Sequence, residues 1–114
     1  MSDRIDWQLN EVMEFFPNRL KEMESIGYDT IIHFDFSDGP KFTLKVENCI
    51  AEVFEGLIGS SKCTITTESS LYLDVEKGQK NAMSAILSGQ IKVSNMMEMM
   101  KMSQHFYGFL STKI

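Results

Sequence analysis

Apolar residues recur three and four positions apart at Ile5, Leu9, Val12, Phe16, Leu20 and Met23, the spacing of one helical face. Pro17 falls inside that run. It lacks an N–H and fixes φ, so a kink or a fresh helical start is expected there, and Gly27 is the expected stop. Trp7 lies opposite the apolar face and is expected to pack locally near the N-terminus. From Thr30 the period shortens to two: Ile32, Phe34 and Phe36 alternate with Ile31, His33 and Asp35. Turn residues Ser37-Asp38-Gly39-Pro40 follow, then Phe42, Leu44 and Val46 alternate with Thr43, Lys45 and Glu47, which predicts a hairpin. Third and fourth strands are expected from Cys49 to Gly56 and from Lys62 to Thr67, the latter with Cys63, Ile65 and Thr67 on one side. Four consecutive strands of this kind predict an antiparallel meander with one face covered.

The helical period then returns. Glu68 to Lys77 carries Leu71, Tyr72 and Val75 and is stopped by Gly78; Asn81 is a good N-cap for Ala82 to Ser88, with Gly89 as the stop. Gln90 to Ser94 reads as a short fifth strand, and a last helix is expected from about Asn95 to Thr112. The order α-β-β-β-β-α-α-β-α predicts an α+β domain, with helices on one face of a five-stranded, mainly antiparallel sheet.

The last helix is the unusual element. Five of the nine methionines crowd into Met96-Met97-Glu98-Met99-Met100-Lys101-Met102. Methionine favours helices and fills irregular or changing shapes, because its side chain is unbranched and polarizable. Helical spacing puts Glu98, Lys101 and His105 on one narrow polar stripe and Met97, Met100, Phe106 and Leu110 broadly on the other side. That apolar side is either packed core or the wall of a cavity for an apolar ligand; periodicity leaves both open. A Met-rich groove for a peptide helix also fits the pattern.

Length and composition bound the class. With 114 residues, 43% hydrophobic and 24% charged, the chain is expected to form one folded domain. A net charge of −5 argues against nucleic acid, since phosphate contacts need clustered Lys and Arg. No apolar stretch follows Met1-Ser2-Asp3-Arg4 and none is long enough to span a bilayer, so a cytoplasmic protein without a transmembrane segment is expected. Cys49 and Cys63 stand too far apart for a CxxC pair and suggest a reducing compartment. His33 and His105 have no metal-ligand partner at short spacing, and no cofactor motif occurs. A cysteine nucleophile could be assembled on paper from Cys49 or Cys63 with His33, but both thiols fall in strands whose pattern buries them.

Two adjoining stretches carry a resemblance. Cys63-Thr-Ile-Thr-Thr-Glu-Ser-Ser-Leu-Tyr-Leu-Asp-Val-Glu-Lys-Gly78 and Asn81-Ala-Met-Ser-Ala-Ile-Leu-Ser-Gly-Gln-Ile-Lys-Val93 resemble the sterol carrier protein two (sterol-transfer) family. Shared features are a Thr-Ile-Thr strand, two short helices each ended by Gly, and a closing amphipathic helix. Pro17-Asn18-Arg19-Leu20 and the first hairpin are also similar in order and spacing. The chain departs from the family at Asn95-Met96, where members commonly carry Gly-Asp. Asn tolerates the left-handed backbone expected there, whereas the lost Asp is expected to weaken the helix cap.

The resemblance implies a curved sheet and helices enclosing an apolar tunnel for a fatty acid, fatty acyl-CoA, phospholipid or sterol, bound without catalysis or cofactor. The lipid contacts it implies are Leu71, Val75, Met83 and Ile86, together with Met97, Met100, Phe106 and Leu110 of the last helix. Transient contact with a membrane surface fits such a carrier. The alternative is an interaction or substrate-presenting accessory module for a partner enzyme.

Overall fold

Alternation along Thr30–Phe36 (β1) puts Thr30, Ile32, Phe34 and Phe36 in the interior and their neighbours on the opposite face. This computed structural model describes the backbone of residues 2–109 and the side chains of residues 8–109. Trp7 and Leu110 as side chains, and everything after residue 109, lie outside the described residues. The further strands are Lys41–Glu47 (β2), Ile50–Glu55 (β3), Cys63–Thr67 (β4) and Lys92–Val93 (β5). Helix Ser2–Phe15 (α1) runs into a 3₁₀ turn at Phe16–Arg19, with Pro17 in the first turn where its missing N–H costs least. A second 3₁₀ turn, Glu22–Glu24, precedes Gly27, whose φ of 83° fits a helical stop. Helices Ser69–Glu76 (α2), Ala82–Leu87 (α3) and Met96–His105 (α4) complete the chain.

The sheet order is β3-β2-β1-β4-β5, with β1 and β4 parallel and the other pairs antiparallel. The mainly antiparallel α+β sheet is therefore present, but the four-strand meander is not. Composition explains the difference. β1, whose Ile32, Phe34 and Phe36 are fully buried, takes the centre, with β2 on one edge and β4 on the other; β3, mostly exposed and carrying Glu52 and Glu55, takes the rim. To reach β4 the chain crosses the outer face of the sheet as a strap, residues 56–62. Thr43 Oγ1 donates to Gly56 O at 2.7 Å and accepts from the Ile58 N–H at 2.8 Å. His33 Nε2 sits 3.0 Å from Ile58 O, so that nitrogen carries the proton. Lys62 N–H bonds Ile31 O at 2.8 Å. The strap is why Thr43 is buried on a face where alternation alone predicts exposure.

The inner face of β1 meets a cluster of rings. Phe16 lies 5.7 Å from Phe34, 5.0 Å from Phe106 and 5.5 Å from Phe109, while Tyr72 contacts Phe34 and Phe36 at 6.0 and 5.3 Å. Asp38, in the β1–β2 turn, reaches the start of α2: its Oδ1 accepts from Ser69 N–H at 2.9 Å and Ser69 Oγ–H at 3.0 Å. That contact does the capping that Glu68 does not, and holds the Asp38 carboxyl below its usual range.

Several boundaries differ from the sequence expectation, and β5 shrinks from Gln90 to Ser94 to Lys92–Val93. Cys49 is not a buried strand residue: with Asn48 it forms the two-residue β2–β3 turn, both at positive φ (55° and 63°), and it is half-buried. Helix α4 ends at His105, short of Thr112, because Lys21 N–H bonds His105 O at 2.8 Å and Phe106 turns extended to bridge Leu20.

Replacing Phe16 with Ala should lower stability by about 3–5 kcal/mol, the range for an aromatic lost from a packed core. Asp38→Ala should cost about 1 kcal/mol, as for a lost helix cap. Urea unfolding monitored by circular dichroism checks both.

Candidate functional site

The rotation of α4 decides which of its side chains can face anything apolar. Asn95 is its N-cap, accepting from Glu98 N–H at 3.1 Å with an extended backbone rather than the expected left-handed one, so the cap is intact. Glu98 then turns inward. Its carboxylate accepts from Thr30 Oγ1 at 2.6 Å and from the Tyr28 hydroxyl at 3.4 Å, and the residue is only 6% exposed. The expected polar stripe is thus split: Glu98 and His105 are held against the body of the protein, and Lys101 alone stays in solvent. His105 stacks on Tyr28 with ring centroids 4.0 Å apart and planes 7° from parallel. Its Nδ1 lies 3.0 Å from Ser25 Oγ, whose own proton goes to Lys21 O at 2.7 Å. A hydroxyl has one proton to give, so His105 Nδ1 is the donor.

With Glu98 inward, the methionines that line the interior are Met99 and Met102 (5% and 0% exposed), whereas Met97 and Met100 face outward at 75% and 50%. The other residues singled out from sequence divide likewise. Val75 and Phe106 are buried in the core, Leu71 and Ile86 are half-buried against it, and Met83 is exposed. Val75, Met99, Met102 and Phe106 belong to one buried apolar layer between sheet and helices. Sequence spacing missed Met99 and Met102. No local signal set the helix phase, because the groups that draw Glu98 inward, Thr30 and Tyr28, are distant in sequence.

A second polar node sits where α2 ends. Arg19 Nη1 donates to both Glu76 oxygens at 3.1 and 3.2 Å, and Tyr72 OH donates to Glu76 Oε2 at 2.6 Å. Arg19 Nε donates to Tyr107 O at 2.8 Å, with the guanidinium 4.5 Å over the Phe16 ring. Beside it runs an open groove of about 820 Å³ lined by Val12, Phe15, Arg19, Glu76 and Tyr107.

The thiol chemistry imagined from sequence is not assembled. Cys63 points into the interior, where burial pushes its thiol pKa up, while His33 lies on the strapped outer face. Among the described residues no cluster of three or more His, Cys, Asp or Glu could hold a metal ion.

The profile of the SCP-2 sterol transfer family matches residues 9–106, nearly the whole chain. The chain belongs to that family. Similar solved structures agree on the fold. A double mutant of the sec-alkylsulfatase PisA1 superposes with a TM-score of 0.78 at 14% identity, over 85% of this chain and 16% of that one. Sterol carrier protein 2 like 2 from Aedes aegypti gives 0.54 at 15% identity, over 90% of each chain. Sterol carrier protein 2 from Yarrowia lipolytica, in its apo form, gives 0.51 at 22% identity, over 86% of each. This chain therefore spans about one sixth of the alkylsulfatase. No curated protein sequence matches it. In this SCP-2 family member the short helices α2 and α3 and the Met-rich α4 fall within the matched residues.

Burial, and after it the nearby Glu98 carboxylate, raise the Tyr28 pKa; burial, then Glu76, raise that of Tyr72. Each phenol therefore keeps its proton in the folded protein at a pH where the unfolded chain, near pKa 10, has lost it. Their stabilising contribution is complete below about pH 10 and is lost as pH climbs toward the folded values. Urea midpoints should fall between about pH 8 and about pH 11. Tyr28→Phe should remove part of that fall while changing the midpoint little near neutrality.

Proposed function

We propose that this protein binds an apolar lipid (a fatty acid, fatty acyl-CoA, phospholipid or sterol) between its sheet and helices and transfers it without catalysis or cofactor. Membership of the SCP-2 sterol transfer family over residues 9–106 carries the reading. The apolar layer supports it physically. Met99 and Met102 stand where α4 meets the sheet, and methionine can re-pack around a guest at low cost in strain. Room for an acyl chain comes from displacing α4 from the sheet, with Val75, Phe106, Leu71 and Ile86 as interior contacts. Met83, Met97 and Met100, exposed on α3 and α4, then form the mouth. Each enclosed CH₂ contributes about 0.8 kcal/mol, so a long chain outweighs the cost of association only when most of it is covered.

The unit we assign to this work is a single domain over residues 1–114 acting in the cytoplasm, where two free thiols stay reduced. No helix among the described residues is long and apolar enough to cross a membrane, and membrane contact in this reading is transient. A second reading, a substrate-presenting module for a partner enzyme, is favoured by one observation. The same fold occurs as a small part of a much longer alkylsulfatase chain.

A fluorescent fatty acid should bind delipidated protein, and competing acids should displace it more strongly as their chains lengthen. Affinity that is flat with chain length would refute the lipid reading. Met102→Lys should destabilise by several kcal/mol, because it buries an ammonium. Met100→Lys should keep wild-type stability and weaken acyl binding about tenfold, or about 1.4 kcal/mol. A Met100→Lys protein that binds normally would remove the outer face of α4 from the ligand path.

A further inference from the structure

β3 is the free rim of the sheet, and its backbone is half unpaired. The hairpin register places Glu47 opposite Ile50 and Thr43 opposite Phe54, and the bond from Gly56 N–H to Lys41 O at 2.8 Å fixes the parity of the ladder. Residues 50, 52 and 54 therefore exchange hydrogen bonds with β2, while the N–H and C=O groups of Ala51, Val53 and Glu55 point away from the sheet. Among the described residues these outward groups bond no other backbone. Beside them lies a groove of about 360 Å³ whose lining includes Met13, Pro17, Phe42 and Val53, with the Glu14 and Glu55 carboxylates. On the opposite face Ile50 and Phe54 are exposed, flanking Glu52. Lys45, across from Glu52, is taken by Glu47 at 3.3 Å, and Lys41 by Asp35 at 2.8 Å. Glu52 and Glu55 enter no ion pair among the described residues.

We propose that this edge docks an extended segment of a partner protein, rich in basic residues interspersed with apolar ones, which adds to the sheet as a sixth strand. Main-chain bonds to Ala51, Val53 and Glu55 supply the pairing. The groove takes apolar side chains on one face, Ile50 and Phe54 take them on the other, and a carboxylate waits on each face for a cation. Charge selects this occupant over a second copy of the chain. Pairing of β3 with itself about Val53 would gather Glu52 and Glu55 from both copies, four carboxylates, into one ribbon between molecules of net charge −5. The inference does not depend on the lipid reading, because β3 lies at the rim opposite β5 and none of the residues it uses is a proposed lipid contact.

The probe is a short peptide repeating lysine-lysine-valine-valine, which sets both residue types on each face of an added strand, with a peptide of the same pattern in glutamate and valine as control. Amide shifts and hydrogen exchange of the whole protein should show the lysine peptide protecting Ala51, Val53 and Glu55, with affinity that falls as salt rises. The control should not bind. Glu52→Lys with Glu55→Lys should reverse that preference. Ala51→Pro removes one outward N–H, is tolerated on an edge strand, and should weaken binding about tenfold or more. Circular dichroism checks its fold, and the charge-reversed protein carries the test if it unfolds. Protection elsewhere, no binding up to about 1 mM (about −4 kcal/mol), or a preference that survives charge reversal would each overturn the proposal. So would a wild-type dimer, seen by sedimentation, that Ala51→Pro dissociates.

Discussion

Every surface of β1 is in use, and the rest of the structure is arranged around that constraint. One edge pairs with β2 and the other with β4. The inner face holds Phe34 and Phe36 against the rings of Phe16, Phe109 and Tyr72, and the outer face lies under the 56–62 strap through His33. Even its first residue is engaged, since Thr30 Oγ1 donates to Glu98 and so helps set the rotation of α4. At a rim this strand would expose one backbone edge and loosen the cover over Phe34 and Phe36, which are fully buried. Once it is central, β4 must come to its far side, and the chain must cross the sheet to get there.

Local periodicity read the elements well and their partners less well. The strands at Thr30–Phe36, Lys41–Glu47 and Cys63–Thr67 emerge from alternation, and Asn81 and Asn95 cap the helices they precede. The meander was the natural expectation from neighbours in sequence, but the parallel β1–β4 pair joins segments separated by two whole strands. The buried side of α4 was misjudged for a similar reason. Helical spacing groups Glu98 with Lys101 and His105, and only the distant Thr30, Tyr28 and Ser25 reveal that two of those three have partners. Without them Glu98 reads as solvated, and the helix turns Met97 and Met100 inward instead of Met99 and Met102. Cys49 looked like part of a strand because the turn it occupies contains no glycine.

For an SCP-2 family member, the interior is notable for how it is filled. Aromatic rings supply rigid volume near Phe16 and Phe34, while methionine supplies compliant volume where α4 meets the sheet. Stiffness and compliance are thus separated in space. Two polar nodes border that layer. Glu98 with Thr30 and Tyr28 pins the start of α4, and Arg19 with Glu76 and Tyr72 pins the end of α2. A helix tethered by a few directional bonds and seated on flexible side chains can shift as a body more readily than one interlocked with rings.

The strap has a consequence for the order in which the chain assembles. β1, β2 and β3 are joined by short turns, so their contacts are local and close quickly; β4 meets β1 only after a loop containing two complete strands has been drawn together. Residues 56–62 can settle over Thr43 and His33 only once that three-stranded unit exists, because the atoms they bond belong to β1 and β2. The far half of the sheet and the helices that follow it are therefore late arrivals. Until they come, the β4-side edge of β1 stands open beside its phenylalanines, and a nascent chain is most exposed to misassociation at the strand that ends up best protected.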